Sequence, residues 1–130
     1  MNAYNANRLR SDFPDLYKPM LSDRSRAGSP ILADCFEFEC GDGWLDLIHS
    51  LSEAISSHAM SVGLQVAAVQ VKEKYGVLRF YVDVGDEEIF RLIDVAEEAS
   101  ELICEVCGLP GGLTQDRWLT TRCGECAAPA

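Results

Sequence analysis

Hydrophobic residues recur with two different periods along the chain, and the changes of period predict where strands and helices alternate. Apolar and polar residues alternate over residues 32–40, which is typical of a half-buried strand. Gly41-Asp42-Gly43 interrupts this strand, because glycine tolerates turn conformations and aspartate caps helices. A helical spacing of apolar residues then covers residues 44–62 and ends at Gly63. Its apolar stripe consists of Trp44, Ile48, Leu51, Ile55, His58 and Val62.

Two further strands and a second helix are predicted after Gly63. Residues 65–72 and 77–84 are β-like, and the four residues between them suit a hairpin turn. We expect the second of these strands to bury Leu78, Phe80, Val82 and Val84. Residues 86–103 have the spacing of an amphipathic helix with an acidic first turn. The pattern therefore predicts an α+β fold, in which a small antiparallel sheet is covered on its apolar face by the two amphipathic helices.

The first 30 residues differ in character from the rest of the chain. They hold five basic and three acidic side chains, whereas acidic residues dominate the remainder. Residues 21–30 are polar and rich in Ser, Gly and Pro, which indicates an exposed loop. Apolar residues before this loop recur at three- and four-residue steps, so we expect a short helix that starts near Asp12 or Pro14. These apolar residues are Phe13, Leu16, Tyr17, Met20 and Leu21.

Composition and charge restrict the class of protein. The chain has 130 residues, of which 48% are hydrophobic and 25% charged, as expected for one folded domain with a small appendage. We divide it into a basic N-terminal segment that is partly loop (1–30), an α+β core (31–103) and a cysteine-rich tail that we expect to pack on the core (104–130). No apolar run suits a membrane helix or a secretory signal, so we expect a cytoplasmic protein. The formal net charge of −10 opposes binding of nucleic acid to the surface as a whole.

Two CxxC pairs in the tail give the strongest chemical signal of the sequence. The pairs are Cys104 with Cys107 and Cys123 with Cys126, separated by 15 residues. Two intervening residues let both sulfurs of a tight turn reach one ion, and a second pair completes a tetrahedron. The spacing predicts a structural Zn²⁺ site, because four thiolates leave no open coordination position. An iron–sulfur cluster, a redox dithiol or unliganded thiols are the alternatives, and we interpret Cys35 and Cys40 as free thiols.

The remaining reactive side chains do not form a recognisable catalytic set. His58 falls in the apolar stripe of the first amphipathic helix, which favours a packed histidine over a base or a metal ligand. Glu97 and Glu98 belong to a helix that is already rich in acids, so they are better interpreted as solvated charge than as a catalytic pair. We therefore do not expect an enzyme.

Two surfaces are candidates for binding a partner. The first is the acidic side of the second amphipathic helix, which would bind a protein with a basic surface. It comprises Glu87, Asp94, Glu97, Glu98 and Glu101. The second is a basic and aromatic face of the hairpin, which would bind the phosphates of a nucleic acid together with basic residues of the tail. It comprises Lys72, Lys74, Arg79 and Tyr81, with Arg117 and Arg122 in the tail.

Three segments resemble a group of small uncharacterised proteins of tailed phages and prophages. The segments are FECGDGW at 38–44, QVKEKYGVLRFYV at 70–82, and CEVCG with WLTTRCGEC at 104–108 and 118–126. The resemblance implies a phage origin and action in the bacterial cytoplasm. Together with the acidic charge, it suggests an inhibitor of a host machine, such as an anti-defence protein of the anti-CRISPR kind, because an acidic surface imitates a nucleic-acid backbone. A zinc-ribbon regulator that binds nucleic acid is the alternative.

Overall fold

The computed structural model describes residues 1–17, 37–115 and 119–127, and in them two amphipathic helices and two sheets dominate the fold. The helices are α1 (Ala3–Asp12), α2 (Leu45–Val62), α3 (Glu87–Ser100) and α4 (Gly124–Ala127). The strands are β1 (Phe38–Glu39), β2 (Ala68–Lys74), β3 (Val77–Val82), β4 (Gly112–Gln115) and β5 (Leu119–Arg122). The predicted α+β class is therefore confirmed.

The main sheet has the strand order β1-β2-β3 and is mixed. Strands β2 and β3 form the expected antiparallel hairpin. Strand β1 runs parallel to β2, with Phe38 opposite Val71, and this differs from the all-antiparallel sheet that we expected. The reason is the connection between them, because α2 lies between β1 and β2 and carries the chain back to the same end of the sheet. Residues 32–36 of the predicted first strand lie outside the described residues.

The hairpin between β2 and β3 is tighter than predicted. Its turn consists of Tyr75 and Gly76, whose φ angles are 53° and 84°. Two successive positive φ angles define the type I′ turn, whose twist matches that of the flanking strands. Strand β3 ends at Val82, so Val84 is exposed and does not belong to the core as we expected.

The two amphipathic helices follow the predicted pattern closely. A short 3₁₀ turn (Asp42–Trp44) precedes α2, and Gly63 ends α2 with a φ of 71°. The N-cap of α3 is Asp86, whose Oδ1 accepts a hydrogen bond from the Ile89 amide. The core between these helices and the sheet contains Trp44, Ile48, Leu51, Ile55, Val71, Leu78, Phe80, Ile89 and Ile93. Val62, in contrast, is exposed, because it lies in the last turn of α2.

A helix that the sequence pattern did not predict, α1, precedes the segment for which we expected a short helix. The Asn2 side chain caps α1 by accepting a hydrogen bond from the Asn5 amide. The helix ends at Asp12 because a residue that precedes proline disfavours helical geometry, and Phe13 accordingly has a φ of −131°. Leu16 and Tyr17 are buried in the core from the turn that follows. The other two residues of the predicted helix pattern, Met20 and Leu21, lie outside the described residues.

Among the described residues, none of the helices combines the length and the apolar character that a transmembrane span requires.

Candidate metal centre

The structure brings the four cysteines of the two CxxC pairs together. The Sγ atoms of Cys104, Cys107, Cys123 and Cys126 all lie within 4.8 Å of one another. The Cys107 and Cys123 sulfurs are 3.6 Å apart. A tetrahedron with metal–sulfur bonds of about 2.3 Å has sulfur–sulfur edges of about 3.8 Å. The cluster therefore has the size and the donor atoms of a site for one tetrahedral metal ion.

Two tight turns position these four sulfur atoms. The first knuckle (residues 104–108) follows α3, and the Gly108 amide closes it by donating to the Cys104 carbonyl over 2.9 Å. Gly108 has a φ of 84°, a conformation that favours glycine. The second knuckle (residues 123–127) follows β5, and the Ala127 amide closes it by donating to the Cys123 carbonyl over 3.0 Å. With β4 and β5 these knuckles form the cysteine ribbon (residues 104–115 and 119–127).

Backbone amides favour a thiolate at the buried end of the cluster. Burial of Cys104 opposes its ionisation, but hydrogen bonds from the amides of Cys123, Cys107 and Val106 outweigh burial and lower its pKa to about 6. The pKa of the Cys126 thiol is raised to about 12, chiefly by its hydrogen bonds with the Cys123 and Cys104 sulfurs. A divalent cation among four sulfurs stabilises all of them as thiolates, so this arrangement suits metal binding.

A glycine loop (residues 41–43) packs directly against the first knuckle. The Gly43 amide donates to the Glu105 carbonyl over 2.7 Å, and the Gly41 amide donates to Glu105 Oε2 over 2.9 Å. A Cβ atom on Gly43 would lie 2.2 Å from the Cys104 carbonyl oxygen and 2.6 Å from the Gly108 nitrogen. Only glycine permits this approach of two backbones, so the loop determines where the first knuckle sits.

Two further contacts attach the cysteine ribbon to the core. Trp44, which is fully buried, donates its indole Nε1 hydrogen to the Ile103 carbonyl over 2.9 Å, immediately before Cys104. On the ribbon, the hydroxyl of the buried Thr121 donates to the Gly76 carbonyl in the hairpin turn over 2.6 Å. The four-cysteine cluster is consequently attached to the α+β core on two sides.

These contacts join three segments of the chain that are far apart in the sequence. The segment at 38–44 supplies the glycine loop and Trp44, the segment at 70–82 supplies the hairpin turn, and the cysteine segments supply the ribbon. The sequence predicts the first segment as a strand end, a turn and a helix start, and the second as a hairpin with a basic face, and neither prediction includes a contact with the cysteines. The paired glycines around Asp42 were the one signal of close backbone approach, but they do not tell which distant segment approaches.

The predicted acidic surface divides into two groups. Glu97 is turned towards β3, where its Oε2 accepts a hydrogen bond from the Phe80 amide over 3.0 Å and its Oε1 lies 3.4 Å from Arg79 Nη1. Its side chain is only 17% exposed, so Glu97 binds the edge strand β3 and does not belong to the exposed acidic surface. The other members, which we call the acidic face, are exposed on α3 or directly after it. They are Glu87, Asp94, Glu98 and Glu101.

The predicted basic face of the hairpin is interrupted by acids. Lys72 lies opposite Arg79, and Tyr81 opposite Gln70, so these side chains share one side of the sheet as expected. Glu39 is the neighbour of Lys72 on β1. With Glu97 beside Arg79, both cations of this row therefore have an acidic neighbour. Lys74 is exposed at the end of β2, Arg122 belongs to the cysteine ribbon, and Arg117 lies outside the described residues.

Both histidines are paired with carboxylates. His58 Nε2 lies 2.7 Å from Asp86 Oδ2, which links the end of α2 to the start of α3. His49 Nε2 lies 2.9 Å from Asp12 Oδ2, which links α2 to the end of α1. Because each pair connects two helices, the structure gives both histidines a role in holding the fold together.

Comparison with known proteins adds no relative to this picture. No protein-family model, no curated protein and no solved structure matches the chain. The phage-like resemblance therefore stays a prediction that rests on the three sequence segments.

Proposed function

We propose that the four cysteines hold one structural zinc ion and that the protein is a non-enzymatic interaction module. The donor set supports zinc, because four thiolates in tetrahedral arrangement are typical of structural zinc sites. Such a site has no open position for a substrate, and the ion would instead stabilise the cysteine ribbon and its contacts with the core. This role agrees with the clamps at Gly43, Trp44 and Thr121.

The partner we propose is a protein with a basic surface, and the acidic face of α3 is the observation that carries this proposal. In the described part of the chain, no hydrogen bond or ion pair engages the carboxylates of the acidic face. The one basic residue of α3, Arg91, is already paired, because its Nη2 donates to Glu88 Oε2 over 3.0 Å. Among the described residues, no basic side chain therefore neutralises the negative charge of the acidic face.

Exposed apolar residues accompany this charge. Phe90, Val95 and Leu102 are each at least half exposed and alternate with the acids along α3 and the turn after it. Like charges four residues apart, such as Asp94 and Glu98, destabilise a helix by a few tenths of a kcal/mol. A partner with basic and apolar side chains would relieve this repulsion and cover the apolar groups. In the phage context suggested by the three sequence segments, that partner would belong to a host defence machine in the bacterial cytoplasm.

Reversal of the acidic face tests this proposal. The variant Asp94→Lys, Glu98→Lys, Glu101→Lys is expected to fold normally, because these side chains are exposed, and to bind partners at least about tenfold more weakly. Partners are recovered by affinity purification with the parent protein from bacterial cells, and their affinities are then measured by calorimetry. A matched control with the same charge change, Asp15→Lys, Asp46→Lys, Glu53→Lys, should bind like the parent. Equal binding by both variants would contradict the proposal.

A salt-dependence experiment decides between this function and the nucleic-acid alternative. We expect no measurable binding of DNA or RNA at about physiological ionic strength, because the net charge of −10 opposes it and the cations of the hairpin face are interleaved with acids. Micromolar binding would support the alternative if log affinity fell steeply with log salt and if Lys72→Ala, Lys74→Ala, Arg79→Ala flattened that slope. A mobility-shift titration over several salt concentrations measures both quantities.

A further inference from the structure

The four cysteines of the cluster differ in their access to solvent. Each knuckle contributes one buried cysteine, which is Cys104 in the first and Cys123 in the second. Cys126 is half-buried, whereas Cys107 is exposed. A dissolved reagent that reacts with sulfur therefore has its most direct access to the cluster at Cys107.

A second sulfur atom lies close to the exposed one. The Sγ atoms of Cys107 and Cys123, on different knuckles, are 3.6 Å apart. A disulfide bond is about 2.05 Å long, so a movement of about 1.5 Å would join them. Cys104, in contrast, is held by hydrogen bonds from three backbone amides, which would break if its sulfur moved. An exposed thiolate with a second cysteine beside it is the arrangement of redox-sensing sites.

We propose that hydroperoxides oxidise Cys107 and that Cys123 then forms a disulfide with it, so that the cluster releases its metal ion. With hydrogen peroxide, the Cys107 thiolate attacks one peroxide oxygen, the O–O bond breaks, and hydroxide leaves as the sulfenic acid forms. The Cys123 thiolate then attacks the Cys107 sulfur, the S–O bond breaks, and a second hydroxide leaves. The two sulfurs together lose two electrons, which reduce the peroxide to two hydroxide ions.

This inference rests on the proposed function for the identity of the ion. Zinc has no redox chemistry of its own, so an oxidant acts on the sulfurs. The disulfide removes two of the four thiolate ligands, and two ligands do not complete a structural zinc site.

Oxidation would also loosen the contact between the first knuckle and the glycine loop. Gly108 directly follows Cys107, and a Cβ atom on Gly108 would lie 3.1 Å from the Gly43 carbonyl oxygen. A shift of Cys107 towards the second knuckle disturbs this close packing. The site therefore makes the attachment of the cysteine ribbon to the core sensitive to peroxide.

Peroxide treatment of the zinc-loaded full chain tests the inference. The chain has six cysteines, so Cys35→Ala with Cys40→Ala leaves only the four of the cluster. Hydrogen peroxide is expected to release the zinc ion, measured with a chromogenic chelator, at the same rate as one disulfide forms. A dithiol reductant with added zinc should restore zinc binding, because thiol–disulfide exchange reverses the oxidation.

Mass spectrometry identifies the disulfide. Trypsin separates residues 92–117, which contain the first CxxC pair, from residues 123–130, which contain the second. After alkylation of the remaining thiols, we expect these two peptides to be linked. Fragmentation of the linked product should assign the bond to Cys107 and Cys123.

Two histidine variants compare the exposed cysteine with its counterpart in the other knuckle. Histidine still offers a nitrogen ligand, because three cysteines and one histidine also bind structural zinc, but it forms no disulfide. At equal peroxide concentration, Cys107→His should release zinc at least about tenfold more slowly than the parent. Cys126→His is the matched control and should stay within about threefold of the parent rate.

Three results would overturn the inference. They are zinc that stays bound while the peroxide oxidises free cysteine, a disulfide within one knuckle, and equal release rates of the two histidine variants. If a histidine variant binds no zinc, the disulfide map of the parent decides. Zinc content before oxidation tests the proposed function separately, because a metal-free parent would contradict zinc while its disulfide map still tests the pairing of Cys107 with Cys123.

Discussion

Replacement of Cys104 by serine is expected to abolish stoichiometric zinc binding and to loosen the cysteine ribbon. Cys104 is fully buried, and its sulfur accepts the backbone hydrogen bonds that favour a thiolate. Because even changes behind the ligands lower metal affinity by about 10- to 100-fold, loss of this ligand should lower it by more than about 100-fold. Elemental analysis of protein purified without chelator, followed by competition with a chromogenic chelator, measures stoichiometry and affinity.

Cys40→Ala is the control for this experiment, because Cys40 is buried outside the cluster. This variant should still bind one zinc ion per chain. Parent protein without bound metal would contradict the zinc proposal. Parent protein with iron and inorganic sulfide would select the iron–sulfur alternative.

Removal of the metal by a chelator should also change the fluorescence emission of Trp44, which lies at the boundary between the cysteine ribbon and the core. The Trp118→Phe variant leaves Trp44 as the only tryptophan, because the chain has two. As the ribbon loosens, the bond from Trp44 to the Ile103 carbonyl weakens, so we expect its emission to shift to the red. Most of the helical circular dichroism should persist, because α2 and α3 have their own apolar core. Complete loss of that signal would show that ribbon and core unfold as one unit.

Gly43→Ala is expected to destabilise the folded, zinc-loaded protein by about 3 kcal/mol, which is the upper range for overpacking. The added methyl would collide with backbone atoms of the first knuckle, which cannot turn away as a side chain can. The knuckle must then move from the glycine loop, which breaks the hydrogen bond between the Gly43 amide and the Glu105 carbonyl. Chemical denaturation, analysed for the zinc-loaded protein, gives the free energy of unfolding.

Gly112→Ala is the matched control, because an added Cβ at Gly112 has no atom within 4 Å. We expect its free energy of unfolding to lie within about 0.5 kcal/mol of the parent value. A Gly43→Ala variant as stable as this control would mean that the glycine loop and the first knuckle do not pack together in solution.

Local patterns of the sequence determined the helices, the hairpin and the cysteine pairs. The apolar spacing predicts α2 and α3 because a helix buries one side of itself wherever the core lies. Gly63 and Asp86 mark helix ends through interactions with their immediate neighbours. The four cysteines were identified as one site because each CxxC turn is a local structure and one ion requires two of them.

Contacts between distant segments were decided only by the tertiary structure. The parallel pairing of β1 depends on the path of α2, and the position of Glu97 depends on β3 being the edge strand beside α3. Similarly, Gly43 packs against the first knuckle, which lies about sixty residues later in the chain. Periodicity tells which side of an element is apolar, but not which element covers it or in which register. The four-cysteine cluster was therefore predictable from the sequence itself, whereas the contacts that attach it to the core and the exposed surfaces around it became visible only in the folded chain.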